Sequence, residues 1–325
     1  KENKNSSFIA DFSYTKGYKS SQANNRNSIS HLFAKFNMDL GFEDYENSEL
    51  KIFTEKVNND TYLKVFENVL ITDKTFENDL KDQNNLTSGI ELALDNEKFN
   101  FTSGMTIYEN LQSLNNDRYQ HVFPYYNFSS TLYSTKNKSL NFISSGKNHL
   151  SNTNNLRSNI TNDINFITSN LYSKNGLVNN FGIYFKNLNV MGKNDAKYKS
   201  SLQTELLNIY EVNTSLPLIK LDDYNKNYLT PRLSFRINPS DMKNYTSDER
   251  LITADNIFDI NRLAIGDSYE SGKSITLGLD YRKESNIDTD KYFEAKFATV
   301  LRDDVEKNVP RSSTINRKTS NLVGS

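Results

Sequence analysis

The feature that most constrains this chain is a two-residue alternation of apolar and polar side chains, held over segments of nine to eleven residues and repeated along the whole sequence. Between Ser274 and Tyr281, Ile275, Leu277, Leu279 and Tyr281 fall on one face of an extended strand, and Ser274, Thr276, Gly278 and Asp280 on the other. Between His31 and Phe42, Leu32, Ala34, Phe36, Met38, Leu40 and Phe42 oppose His31, Lys35, Asn37, Asp39 and Gly41, with Phe33 the one exception. Residues 86–95 and 99–107 repeat the pattern, and weaker copies lie near 8–16, 48–57, 126–134, 139–147, 163–172, 181–190, 201–210, 229–237 and 291–301. A period of two places alternate residues on opposite faces of a strand, whereas a helix would scatter them around its circumference. The chain therefore reads as all-β, with about a dozen strands.

Segment length narrows the class. Nine to eleven residues, tilted by about 45°, span the hydrocarbon core of a bilayer, while strands in sandwiches are nearer five or six. The connections are unequal: Asp95–Asn100 is tight, but 72–85 and 239–271 are long. Transmembrane barrels alternate short turns with long external loops in this way. Only 36% of the chain is hydrophobic and mean hydropathy is −0.71, as expected where only alternate strand residues face lipid. Asn supplies about one residue in seven, which raises the question of disorder. The 20 Phe and 19 Tyr argue against it, because disordered polar chains lack aromatic residues. Girdles at the two membrane interfaces would take these rings, without Trp. The expected fold is a transmembrane antiparallel up-and-down β-barrel with long external loops; a soluble sandwich or β-helix is the alternative.

Several function classes drop out. The 39 basic and 40 acidic residues are spread evenly, so no basic face invites nucleic acid. With no Cys there are no disulfides, thiolate zinc sites or cysteine nucleophiles. No apolar run reaches the 18 or so residues of a spanning helix, and the opening residues lack the apolar core of a signal peptide, so an exported parent would need a segment ahead of Lys1. The Gly272-Lys273-Ser274 triplet imitates the end of a phosphate-binding loop, but five residues separate Gly266 from Gly272 where that loop needs four. His31, His121 and His149 have no orienting partner in sequence, and no Gly-x-Ser-x-Gly elbow exists. Asn286, Asp288 and Asp290 alternate like calcium ligands, but Lys291 and Phe297 stand where such a loop needs Gly and Glu. No catalytic, cofactor or metal site is expected, and the chain reads as a non-enzyme.

One region carries a more specific signal. It contains Pro231 and Arg232 at the opening of a strand, Pro239 just after it, then Asn256, Phe258, Asn261, Arg262, Gly266, Asp267, Glu270 and Gly272, and Gly278 in the next strand. This order resembles the barrel of the LptD family, the outer-membrane lipopolysaccharide-assembly proteins. Two other stretches match in the same order: Asp60, Thr61, Tyr62 and Leu63 near the start, and Arg302 with Ser320–Gly324 near the end.

The resemblance implies a central part of the barrel domain spanning 1–325, without the family's N-terminal periplasmic jelly-roll domain and without the closing C-terminal strands. It implies an outer-membrane translocon that inserts lipopolysaccharide into the outer leaflet, aided by a plug lipoprotein of the LptE type and a periplasmic bridge protein of the LptA type. A porin or receptor-type barrel, or a secreted β-rich adhesin, are the other readings. Physically, Pro231 and Pro239 would limit the strand ladder at both ends. Arg262, Asp267 and Glu270, set among apolar residues, would fold back over a barrel mouth with their charges paired, or serve there as a structural cap. Thr276, Asp280, Glu91 and Asn100 would line a wet lumen.

Overall fold

The computed structural model describes residues 2–3, 5–19, 26–65, 84–113, 117–288 and 290–325. The strands are β1 (Glu2–Asn3), β2 (Ser6–Lys19), β3 (Arg26–Asp39), β4 (Asn47–Val57), β5 (Asn85–Asp95), β6 (Phe99–Asn110), β7 (Tyr119–Thr135), β8 (Lys138–Ser151), β9 (Asn155–Thr168), β10 (Leu171–Tyr172), β11 (Val178–Lys193), β12 (Gln203–Ser215), β13 (Leu218–Leu221), β14 (Asn225–Asn238), β15 (Gly272–Ser285), β16 (Tyr292–Arg302) and β17 (Val323–Gly324). A single helical turn, α1 (Tyr62–Val65), and a 3₁₀ turn at Arg311–Ser313 complete the described elements. The protein is all-β, and its strands form an antiparallel up-and-down sheet that is not closed.

Each of the thirteen segments marked by alternation falls on strand, the one at 163–172 divided between the end of β9 and β10, and most of the strands are longer than the pattern suggested, up to 17 residues in β7; β16 has the 11 residues expected. Ladder hydrogen bonds carry pairing into flanking Asn, Ser and Lys residues, which the alternation cannot flag. The effect is clearest at β14, which begins six residues before Pro231, so the Pro-Arg pair lies inside the strand and does not open it. A proline there lacks a ladder donor. It is tolerated because β12 ends opposite Arg232 and β13 starts opposite Leu229, leaving Pro231 against the break at Leu216-Pro217. Pro239 does follow the last residue of β14. Most of the long connection at 72–85 lies outside the described residues.

The chain divides into two compact units. The first comprises 1–130, 143–161 and 189–204, and carries the continuous ladder from β2 to β7. Ile29, Phe33, Val57, Tyr62, Leu63, Leu86 and Leu111 form its core. Phe33, the exception to the alternation, belongs to this cluster and is fully buried, together with Tyr62 and Leu63 of the segment at α1.

The second unit comprises 131–142, 162–188 and 205–325. Here β14, β15 and β16 pair along their lengths. The connection 239–271 and the segment after β16 contribute Met242, Tyr245, Ile252, Ile257, Leu263, Ile265, Val309 and Ile315 to a core against Ala298 and Val300 of β16.

In both units the described strands carry a row of exposed apolar side chains on one face and buried polar ones on the other. Leu32, Met38, Ile52, Ile90, Met105 and Ile107 in the first, and Leu233, Phe235, Ile275, Leu277, Leu279, Phe297 and Leu301 in the second, are exposed. Alternate residues on the other face, including His31, Thr106, Glu211, Ser234, Arg236, Ser274, Thr276 and Arg302, are buried.

Candidate functional site: the charged strap of the second unit

Strand register builds the floor of this site. Glu211 of β12 lies opposite Arg236 of β14, Arg236 opposite Ser274 of β15, and Ser274 opposite Arg302 of β16. Period-two geometry turns all four to the buried face, so one row across four strands carries a carboxylate and two guanidinium groups. The next row is Ser234, Thr276 and Val300, and the one after it Arg232, Gly278 and Ala298.

The connection 239–271 supplies the rest. Glu270 and Arg262 are 4% and 3% exposed, a degree of burial that charged groups reach only when paired. Arg262 donates from Nε to Glu270 Oε2 at 2.7 Å and from Nη2 to Oε1 at 2.6 Å, the bidentate geometry of the strongest protein ion pairs. Its remaining donors reach Thr276 Oγ1 at 3.0 Å and Ser274 Oγ at 3.2 Å. Arg302 Nη1 also donates to Glu270 Oε1, and its Nη2 to the Ser271 carbonyl. Arg236 Nη1 lies 3.9 Å from Glu270 Oε2, and Asn238 Nδ2 donates to the Glu270 carbonyl at 2.9 Å. One carboxylate thus gathers three arginines from two strands and a loop. Burial alone would raise the Glu270 pKa, but Arg262 and Arg236 outweigh it and hold the group down at about 2.

A second knot involves Asp267, which accepts from Tyr245 Oη and from Lys243 Nζ at 3.5 Å; Lys243 also reaches Glu205 at 3.1 Å. Burial first, and then the bond to Asp267, push the Tyr245 phenol up. Turns in the strap are set by its asparagines. Asn261 accepts from Ile265 N–H at 3.1 Å and donates to the Ile265 carbonyl at 2.8 Å, closing a turn in which Ala264 takes φ 51°. Asn256 accepts from Thr253 N–H at 2.8 Å. Gly272 is required twice over: φ is +83°, and a Cβ there would stand 3.0 Å from Arg302 Nη2. Gly266 has open space around it, and nothing in the structure explains its being glycine.

The third row holds a stacked notch. Gly278 leaves room for the Phe258 ring, and the Arg232 guanidinium lies 3.9 Å over that ring while donating to Asp280 Oδ2 at 3.4 Å. A Cβ on Gly278 would meet the ring at 2.6 Å. Gly278→Val is therefore expected to lift Phe258 and open the strap, seen as faster proteolysis within 250–265; an unchanged cleavage rate would show that the notch does not hold the strap.

The residues singled out in the sequence fall into three places. Arg262, Glu270 and Arg302, distant in sequence, meet in one cluster, and Arg232, Phe258 and Gly278 in another. Asp60, Thr61, Tyr62 and Leu63 lie in the first unit, where Asp60 pairs with Arg118 at 2.7 Å, Thr61 bonds Asn59, and Leu63 enters the core. His31 proves to be well oriented, with Nδ1 2.6 Å from Tyr62 Oη and Nε2 3.0 Å from Asp11 Oδ1. His149 sits in β8 and bonds Gln120 at 3.1 Å. Of the four residues read as lumen-lining, Thr276 is covered by Arg262. Gly272-Lys273-Ser274 opens β15, with no helix after it. Sequence reasoning passed over Arg236, Glu211 and Asn238, although a cation between Phe235 and Ile237, near the end of an alternating strand, was a readable sign of a charged inner face.

Arg262, Arg302 and Glu270 spend their side-chain bonds mainly on one another and on neighbouring Ser, Thr and carbonyl groups, while Arg236 Nη1 is held at 3.9 Å without a hydrogen bond. The chemistry of the cluster is that of a fastening. No protein-family model matches the chain, and no curated protein matches it.

Proposed function

We propose that this chain forms part of the wall of a transmembrane β-barrel similar to the LptD family, and that its full-length parent passes lipopolysaccharide to the outer leaflet of the outer membrane. The observation that carries the membrane part is the inversion of the strands, which present apolar faces outward over six or more consecutive strands while burying Arg, Glu, Ser and Thr. Exposing that much apolar surface to water would cost about 25 cal/mol per Å², and contiguous patches of this kind mark lipid or partner contact. Strands of 14 residues, such as β14 and β15, reach about 45 Å at about 3.3 Å per residue, enough to cross a tilted path through the bilayer and extend beyond it.

What supports the LptD part is that residues matching the family from two separate stretches meet, Arg262 and Glu270 with Arg302, while the third stretch, 60–63, lies in the first unit. In this reading acyl chains travel on the lipid side while the charged saccharide follows the polar face. The strap stays pinned to that face by the Glu270 cluster, and other strands of the parent complete the barrel, with a plug lipoprotein and a bridge protein as partners.

Depleting the full-length parent in its host and following newly made lipopolysaccharide tests the reading. Accumulation inside the cell while other barrels insert normally is the expected result. Undiminished surface delivery would sink it and favour a porin or receptor.

A further inference from the structure

In the first unit, register turns Phe53, Glu91, Thr106, Tyr108 and Tyr125 to the same face of β4 to β7: Phe53 opposes Gly89, Glu91 opposes Gly104, and Gly104 opposes Tyr125. This is the face on which these strands otherwise carry polar groups. Together with Asn127 and Lys147 they line a cavity of about 540 Å³, a size that suits a small ligand.

Two of the three rings are propped on glycine. A Cβ at Gly89 would meet Phe53 at 3.0 Å, and one at Gly104 would meet Tyr125 at 2.8 Å. Tyr125 is fixed further by donating to Glu91 Oε2 at 2.8 Å. Tyr108 has no glycine under it and stays 43% exposed.

We infer that this cavity is a saccharide-binding site, in which Phe53, Tyr108 and Tyr125 offer ring faces to sugar rings and Glu91, Asn127 and Lys147 meet the hydroxyls. The C–H face of a pyranose is apolar and bears slightly positive hydrogens, which suit the negative face of an aromatic ring. Its hydroxyls need both acceptors and donors, and a carboxylate, an amide and an ammonium supply them. Rings held by glycine beds and a hydrogen bond lose little freedom on binding, which favours weak, reversible contact with a passing chain. Hydrocarbon would offer the Asn127 amide and the Lys147 ammonium nothing to bond, and a simple anion would leave the rings idle and meet Glu91, whose Oε2 already accepts from Tyr125. The inference rests on the cavity and does not require the lipopolysaccharide reading.

The test is titration of the purified full chain in detergent with two lipid-free probes, maltohexaose and the core oligosaccharide released from lipopolysaccharide. Saturation-transfer NMR and tyrosine emission, unobstructed because the chain has no Trp, provide the readouts. Saturable binding of at least one probe is expected. It should weaken about fivefold in Tyr108→Ala and Tyr125→Leu, as ring contacts of about 1 kcal/mol imply, and hold in Tyr125→Phe, which keeps the ring. Tyr108→Ala removes a half-exposed ring with no glycine beneath it, so its fold is safe even if Tyr125→Leu misfolds. Binding of neither probe, or binding indifferent to Tyr108→Ala, overturns the inference. Maltohexaose bound without the core oligosaccharide would uphold the site and count against lipopolysaccharide as cargo. Failed surface delivery on depletion, with neither probe bound, would do the reverse.

Discussion

Replacing Glu270 by Gln is expected to cost about 3 to 5 kcal/mol of stability in the second unit, because it leaves a buried cluster of arginines without its shared anion. Arg262, Arg302 and Arg236 all approach this one carboxylate. Glutamine retains the shape but offers one neutral acceptor and turns two donors toward guanidinium groups that have nothing to accept. Glu211, opposite Arg236 in register, is the carboxylate left in that row and accepts from Ser234 Oγ at 3.4 Å. Urea unfolding in detergent, read by tyrosine emission and by protease cleavage within 239–271, measures the effect. Loss of the strap before the strand ladder is expected, since the strap is held by side chains and the ladder by backbone pairing. A change below about 1 kcal/mol would mean that the cluster tidies up buried charges without fastening anything.

The same carboxylate sets a pH signature. Its folded pKa, about 2, lies below the 4.5 of an ordinary glutamate. The stabilisation is therefore fully present above the unfolded value and is lost as pH falls from near 4.5 toward 2. The gap between wild type and Glu270→Gln should be widest at neutral pH and narrow in that acid window. A gap independent of pH would assign the lost stability to packing.

How far the sequence announced this architecture depends on which residues are considered. The alternation located the long strands because a period of two is a local property, visible in Ile275, Leu277 and Leu279 without reference to any other strand. Parity alone separates the faces without saying which of them is exposed; it was the length of the segments, with their unequal connections, that led to the expectation of an outward apolar face. Strand ends were set too short where Asn225 to Tyr228 extend β14 through cross-strand pairing with Arg282 to Ser285, a non-local effect. Phe33 broke the pattern because it packs with Tyr62, 29 positions away. The charged strap was half legible: Arg262 and Glu270 stood out among apolar neighbours, whereas Arg236 and Arg302 became part of the site only through register across β14, β15 and β16. His31 looked unaccompanied because its partners, Asp11 and Tyr62, come from other elements.

Leu277→Arg should decide whether the outward apolar face meets lipid. Leu277 lies near the middle of β15, is 42% exposed, and faces the same side as Leu233 across the ladder. If that face is embedded, an arginine there sits near the bilayer midplane and costs about 2 to 4 kcal/mol, falling to about 0 to 1 near the interfaces. On a water-exposed surface the same change would be within about 0.5 kcal/mol, and could improve solubility. Ile287→Arg is the matched control, because Ile287 is 83% exposed in the turn between β15 and β16, where an arginine can reach water. Unfolding free energies in phosphatidylcholine bilayers should separate the two variants by about 2 kcal/mol or more, Leu277→Arg being the weaker. Equal and small effects, with a chain that stays monomeric without detergent, would place the apolar face against another protein surface and remove the ground for the membrane reading. A large separation would leave lipid as the one partner continuous enough to cover so many strands at once.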